Sequence, residues 1–232
     1  MRYALLASGF VLLLAGCGSG GAGRRTVEAA GFTAVSTGSG IDVEVASSTG
    51  WTVEVSADRL ALDRIVVEVR GTTLWIGLRA GTLARTRYLA SMGRVGITMP
   101  VLERLDVDGG STARIDIAQP DRDLAVTLSR GSILSGSLAC DGLSISASGS
   151  SVAQLAGTAD RVSLTGVDRA ELKLTGLETA SLDAKLSGGS TAAVAVSGHL
   201  AVEASGGSGL SFRGDARVDR QDLGGGSWLR KE

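Results

Sequence analysis

Short stretches in which apolar and polar residues alternate recur along the chain, separated by turns rich in glycine and serine. Residues 115–117, 143–145 and 172–174 are examples, each with an apolar residue at every second position. This period of two places the apolar side chains on one face of a β-strand. No stretch between these strands has the 3.6-residue period of an amphipathic helix, so leucine-rich repeats and βαβ units are disfavoured. The pattern predicts an all-β protein.

The second half of the chain is a repeat. Each unit has an alternating stretch, a Gly/Ser turn and a second alternating stretch, and the units are spaced 18 to 20 residues apart. Their first residues are Leu105, Leu124, Leu143, Val162, Leu182, Leu200 and Val218. In the Val162 unit, Val167, Asp168 and Arg169 stand where the others have a Gly/Ser turn. A fixed period predicts stacked units, and about 19 residues suit one coil of a single-stranded parallel β-helix.

Residues 26–100 have wider and less regular spacing. Strands are expected at 32–45, 51–56, 62–69 and 73–78, with a tight turn at 71–73. We interpret 26–100 as a β-rich N-terminal part of the solenoid and 101–232 as its regular coils. Residues 81–94 break the alternation and carry a candidate ligand surface of Arg85, Arg87, Tyr88 and Arg94. These residues could contact an anionic glycan or lipid head group, and a solvated loop is the alternative.

The N-terminus has the features of a bacterial lipoprotein signal. Arg2 is followed by an uncharged, mostly apolar stretch at 3–14, which is too short to span a bilayer. Residues 14–17 read Leu-Ala-Gly-Cys, which resembles a lipobox, with cleavage between Gly16 and Cys17 and diacylation of Cys17. Two acyl chains give stable anchoring in a lipid bilayer. We therefore expect a signal peptide at 1–16, a lipidated cysteine with a Gly-rich tether at 17–25, and an outer-membrane location.

Composition excludes several classes of protein. The chain has 34 Gly among 232 residues but only 2 Pro, which excludes collagen, and 44% apolar residues argue against disorder. The formal net charge is −1 and aromatic residues make up 3%, so nucleic acid is not an expected partner. The glycine excess fits sharp, crowded corners repeated along a stack.

Candidate chemistry is sparse, and no cofactor or metal is expected. His199, the single histidine, would have to serve any Ser-His-Asp triad, and a solvated corner residue is the favoured interpretation. Cys140 is the only thiol left after lipidation of Cys17, and its strand-like context predicts a small buried residue. Neither a complete calcium loop nor a phosphate-binding loop is present.

A polysaccharide lyase or glycosidase is the enzymatic alternative, because such enzymes also use parallel β-helices. They need carboxylates that converge in one cleft. The candidates are Asp106, Asp108 and Asp116 near one corner, with Asp121 and Asp123 in the next loop. Positions equivalent in later coils hold Thr127, Ser146 and Ser148, so no acidic column is expected. Convergence of three or more of the five would count heavily against a non-enzymatic function.

The order of several segments resembles one known family. These segments are Phe32-Thr-Ala-Val at 32–35, the run from Gly38 to Val45, Leu-Trp-Ile at 74–76, Ile-Thr-Met-Pro at 97–100 and the Ser-Gly-Gly-Ser turns at 187–190 and 205–208. Together they resemble the putative auto-transporter adhesins with a head GIN domain, over about residues 30–230. The resemblance implies a right-handed parallel β-helix at the cell surface and no established catalytic residues. We expect a non-enzymatic envelope lipoprotein whose partners are the bilayer, through Cys17, and an envelope glycan or surface protein.

Overall fold

The computed structural model describes residues 22–79 and 93–232. These residues form seventeen strands and a single helical turn, α1, at Arg59–Leu62. The strands are β1 Ala22–Thr26, β2 Ala34–Thr37, β3 Asp42–Ser47, β4 Thr52–Asp58, β5 Ile65–Arg70, β6 Thr73–Leu78, β7 Arg94–Met99, β8 Arg104–Val107, β9 Thr112–Gln119, β10 Leu124–Leu128, β11 Ile133–Ala147, β12 Val152–Gly166, β13 Glu171–Leu186, β14 Thr191–Ala204, β15 Gly209–Arg213, β16 Arg217–Leu223 and β17 Trp228–Lys231.

The strands form two parallel ladders that face each other across one apolar core. The first ladder runs β6, β2, β8, β10, then the second halves of β11 to β14, and β16. The second ladder runs β7, β3, β9, then the first halves of β11 to β14, followed by β15 and β17. Along each strand buried and exposed residues alternate, as in the pattern of β10, because inward side chains fill the core. The predicted all-β solenoid is confirmed.

The register confirms the repeat with one correction. Leu124, Leu143, Val162, Leu182, Leu200 and Val218 are aligned from coil to coil. Leu105 is aligned with Val126 and not with Leu124, so the expected spacing of the first two units is wrong by two residues. The additional residues lie in the loop at 120–123, where the chain turns from β9 to β10.

The first two layers are not in chain order. The coil made by β2 and β3 lies between the β6–β7 layer and the β8–β9 coil, because β2 pairs with both β6 and β8. Strands β5, β4 and β1 then add antiparallel at this end of the stack. The strand expected at 32–45 is divided by a corner into β2 and β3, and residues 59–62 form α1. The turn at 71–73 is confirmed between β5 and β6.

The strand β1 begins earlier than the sequence suggested. Residues 22–25, which we expected to be part of the tether, are hydrogen-bonded antiparallel to β4 together with Thr26. Any tether after Cys17 therefore extends only over residues 18–21.

One corner of the coils has two consecutive residues in the left-handed region. Eight such pairs lie at 39–40, 109–110, 130–131, 149–150, 168–169, 188–189, 206–207 and 225–226. Glycine adopts this conformation without steric cost, which explains the recurring Gly-Gly. In the Val162 unit, Asp168 (φ 54°) and Arg169 (φ 64°) adopt the same conformation as Gly188 and Gly189. The Val162 unit therefore has the same corner geometry as the other units, and its two non-glycine corner residues adopt a left-handed conformation that is sterically unfavourable for them.

A column of buried serines follows these corners. Ser111, Ser132, Ser151, Ser190 and Ser208 are all completely buried. Most of their hydroxyls accept a hydrogen bond from the neighbouring coil: the Ser132 N–H donates to Ser151 Oγ at 3.3 Å, and the Ser190 N–H donates to Ser208 Oγ at 3.2 Å. The Ser151 hydroxyl donates in turn to the Ser148 carbonyl at 2.7 Å. Ala170 interrupts the column between Ser151 and Ser190. The serine that ends these turns therefore satisfies a buried backbone donor of the adjacent coil.

Substitutions in the serine column are expected to change stability in opposite directions. Ser151→Ala leaves the buried Ser132 N–H without its acceptor and should lower the free energy of unfolding by about 1–3 kcal/mol. Ala170→Ser supplies the missing hydroxyl as an acceptor for the Ser151 N–H and should raise it by about 1 kcal/mol. Urea unfolding monitored by tryptophan fluorescence measures both values. Equal destabilisation by the two variants would contradict a hydrogen-bonded column.

Candidate functional site

Most of the sequence-predicted ligand surface lies outside the described residues. Arg85, Arg87 and Tyr88 fall there, as do Gly16 and Cys17. Arg94 is the exception: it begins β7, and its guanidinium lies 3.4 Å from a carboxylate oxygen of Glu44 on the adjacent strand. Arg94 is thus part of an exposed ion pair.

The five candidate acids do not converge. Asp106 pairs with Arg104 on the outer face of the first ladder, and Asp108 accepts hydrogen bonds from Ser129 and Arg130 near the corner. Asp116 lies on the second ladder, where the Ser137 hydroxyl donates to its carboxylate at 2.8 Å. Only Asp121 and Asp123 line the same groove. The register aligns Asp106 with Thr127 and Ser146, so no acidic column forms among the described coils.

The described residues form an open groove of about 900 Å³ beside the corner at which coils pass from the second ladder to the first. Its floor consists of small outward-facing residues in register on three adjacent coils, Ala125, Ser144 and Ser163. Its rim is charged and consists of Glu103, Asp121, Arg122, Asp123, Asp141, Arg161 and Asp183. The flat floor arises because small residues occupy equivalent positions of successive coils.

Ion pairing within the rim centres on Arg161. Its Nη2 lies 2.9 Å from Asp141 Oδ2 and 3.7 Å from Asp123 Oδ1. Asp123 also accepts a hydrogen bond of 2.9 Å from the Gly142 N–H. Because these carboxylates already have cationic or N–H partners, the groove is suited to polar binding more than to acid–base catalysis. Asp141 and Arg161 were not among the sequence-predicted residues, although the coil spacing aligns Asp123, Gly142 and Arg161 and could have revealed them.

Cys140 lies inside the core beneath this rim. It is 4% exposed and aligned with Gln119 and Ala159 of the neighbouring coils. Burial, with smaller contributions from Asp123, Asp141 and Asp160, raises the pKa of its thiol to about 11. The thiol is therefore protonated at neutral pH and unreactive. The expectation of a small buried residue is confirmed.

Cys140 should make stability fall at high pH. In the unfolded chain the thiol has an ordinary pKa of about 8.5. The folded state keeps the proton up to about pH 11, so the stabilisation from the raised pKa is complete below the unfolded pKa and is lost as the pH rises towards 11. The free energy of unfolding of the wild type minus that of Cys140→Ala, measured by urea unfolding from pH 8 to 11, should therefore decrease as the pH rises. A flat difference would contradict a buried, protonated thiol.

The imidazole of His199 contacts a carboxylate, but it has no hydrogen bond to the neighbouring serine hydroxyl that could serve as a nucleophile. Its Nδ1 lies 2.6 Å from Asp219 Oδ2, and Asp219 also pairs with Arg217. Ser181 is the register neighbour of His199, yet no hydrogen bond joins their side chains in the described structure. His199 is solvent-exposed, as expected for a corner residue.

Residues 22–79 and 93–232 lack two further features. No group of three His, Cys, Asp or Glu side chains is placed there to hold a metal ion. In the same residues, no helix has the length and apolar character needed to cross a membrane.

Comparison with known proteins identifies the family. The model of the family described as "Putative auto-transporter adhesin, head GIN domain" matches residues 31–216. The chain belongs to this family. Membership agrees with the resemblance drawn from the sequence and indicates a secreted or cell-surface bacterial protein. No curated protein matches the chain.

Solved structures share the fold of this head GIN domain protein at low sequence identity. A putative adhesin from Bacteroides fragilis NCTC 9343 has a TM-score of 0.79 at 16% identity, covering 92% of this chain and 98% of that one. A putative lipid binding protein from Parabacteroides distasonis ATCC 8503 has a TM-score of 0.68 at 17% identity, with 93% and 98% covered. A putative adhesin from Parabacteroides merdae ATCC 43184 has a TM-score of 0.64 at 16% identity, with 93% and 98% covered.

Proposed function

We propose that this protein is a non-enzymatic lipoprotein of the bacterial outer membrane, anchored through acylated Cys17, whose solenoid binds an envelope glycan in the groove around Arg161. The observation that carries the binding function is the rim of the groove, where the Arg161 guanidinium bridges the carboxylates of Asp123 and Asp141. The anchor is supported by the lipobox at 14–17 and by the start of β1 only five residues after Cys17. One structural relative is described as a putative lipid binding protein, which fits a function at a membrane.

Polar groups of the groove match the chemistry of a glycan. Serine hydroxyls at 144, 163 and 181 and the charged rim can exchange hydrogen bonds with sugar hydroxyls. No aromatic side chain lines this groove, so binding would depend on hydrogen bonds more than on ring stacking. Such an open polar site suits weak binding that many copies on one cell surface would strengthen.

The anchor is tested by metabolic labelling with palmitate. The wild type should be labelled and found with membranes, and Cys17→Ser should be unlabelled and released from them. Cys140→Ser is the matched control and should be labelled like the wild type. Equal labelling of the wild type and Cys17→Ser would refute the lipoprotein assignment.

Glycan binding is tested on an array scored for both binding and cleavage, using the full chain with Cys17→Ser. Arg161→Gln should abolish binding, whereas Arg114→Gln, on the exposed face of β9, should not. Absence of binding to any glycan would exclude the groove as a glycan site and favour a protein partner. Cleavage that is lost in Asp141→Asn would favour the carbohydrate-active enzyme.

A further inference from the structure

The end of the solenoid nearest the N-terminus carries a concentration of positive charge. We define the N-terminal cap as residues 22–26 and 58–79, which comprise β1, α1, β5 and β6 with the last residue of β4. The cap holds six arginines against three carboxylates, a net charge of +3. The other described residues hold 14 basic against 21 acidic side chains, a net charge of −7. Among the described residues, excess positive charge is therefore concentrated at this end of the stack.

Several cap arginines project into solvent. Arg24, Arg59 and Arg64 are exposed, and none of them forms an ion pair with another described residue. Arg25 of β1 donates a hydrogen bond of 3.0 Å to the carbonyl of Ile65, the first residue of β5, and thereby connects these two strands. Arg70 pairs with Glu68 and stacks on Trp75, with 4.2 Å between the guanidinium carbon and the ring centroid. Arg24, Arg59 and Arg64 are thus the cap cations available to an external anion.

The opposite end of the solenoid has no such excess. Residues 214–232 hold four basic and four acidic side chains. Arg217 pairs with Asp219, Arg220 with Glu203, and Lys231 with Asp215. The two ends therefore differ in net charge, and three of the four C-terminal cations are ion-paired whereas Arg24, Arg59 and Arg64 are not paired with a described residue.

The cap is also the end at which the chain enters the fold. Ala22 begins β1 five residues after Cys17, so the cap lies within about 17 Å of that cysteine even if the connection is fully extended. Nine stacked layers at a strand spacing of about 4.8 Å place the last layer roughly 38 Å from the first. If Cys17 is acylated, the cap faces the bilayer and β16 and β17 lie furthest from it.

We propose that the N-terminal cap binds the phosphate groups of anionic phospholipids and holds the solenoid upright on the membrane. This inference rests on the proposed lipid anchor for its orientation. Basic side chains close to an anionic bilayer are attracted over about one Debye length, which is about 8 Å at physiological salt. The negative remainder of the molecule is repelled by the same surface. A short tether, a basic cap and an acidic body together favour one orientation.

Vesicle co-sedimentation tests the cap independently of the acyl anchor. The probe is the full chain with Cys17→Ser, mixed with vesicles of phosphatidylglycerol and phosphatidylcholine in equal parts or of phosphatidylcholine alone. Partitioning should require phosphatidylglycerol and decrease with added salt. Arg24→Gln, Arg59→Gln and Arg64→Gln together should weaken it roughly 100-fold, since each basic residue contributes about a factor of five.

The matched control removes three exposed arginines elsewhere, Arg114, Arg169 and Arg230, each replaced by Gln. This control should partition like the parent chain. Equal partitioning into phosphatidylcholine, or an equal loss in the control, would overturn the inference. Palmitate labelling separates the two proposals: labelled wild type without lipid partitioning of the Cys17→Ser chain refutes the cap alone, and partitioning without labelling refutes the anchor alone.

Discussion

Replacing Gly136 by alanine should lower the free energy of unfolding by about 3–5 kcal/mol. Gly136 has a φ of +139°, and a Cβ added there would lie 1.9 Å from the Ile115 carbonyl oxygen of the preceding coil. That oxygen belongs to the hydrogen-bonded backbone of β9 and cannot move without displacing the ladder. The cost therefore combines steric overlap between coils with a backbone conformation that L-residues rarely adopt. Chemical denaturation monitored by circular dichroism measures it.

Gly110→Ala is the matched control for this substitution. Gly110 also has a positive φ, +73°, but nothing lies within 4 Å of the position that a Cβ would take there. Only the left-handed strain applies, and we expect a loss of about 1 kcal/mol. Gly157, whose added Cβ would lie 1.9 Å from the Leu138 carbonyl oxygen, should behave like Gly136. Equal effects at Gly110 and Gly136 would show that close approach between coils is not the cause.

Ending the chain after Leu223 should cost about 3–5 kcal/mol and reduce solubility. The truncation removes β17, which pairs with β15 and covers the last core layer. Leu210 and Phe212, now 0% and 5% exposed, would become accessible, and exposing a large apolar side chain costs about 1.5–3 kcal/mol. The Ser208 N–H would also lose its acceptor, Ser227 Oγ, at 3.1 Å. Thermal melting and light scattering measure the two effects.

Lys231→Ala is the control for the truncation. It removes only an exposed ion pair with Asp215 and should change stability by less than about 1 kcal/mol. If the truncated chain melted and dissolved like the full chain, β17 would not be a cap for the core. The exposed ends of a solenoid need such protection because their strands have unpaired backbone groups.

The regular coils were predictable because each coil repeats the same local sequence pattern. Alternating apolar residues specify the inward face, and Gly-Gly-Ser specifies a left-handed corner followed by a buried hydroxyl, so local sequence was sufficient from Leu124 onward. Residues 26–100 were less predictable, since nothing local shows that β2 pairs with both β6 and β8. The two-residue offset at Leu105 was missed because periodicity alone cannot place the extra residues of a loop. The requirement for glycine at 136 and 157 was not recognised because it arises from the close approach of a backbone carbonyl oxygen in another coil.

Sequence by itself determined the fold class, the repeat length and the family resemblance of this protein, and it predicts the lipid anchor at Cys17. The reason is that strand alternation, corner conformation and the lipobox are all local patterns. The tertiary structure decided which charged side chains form contacts. It separated Asp106, Asp108 and Asp116, brought Arg161 between Asp123 and Asp141, and gathered the cap arginines at one end. Coulombic interactions depend on distance through space, and only the stacking of coils sets those distances.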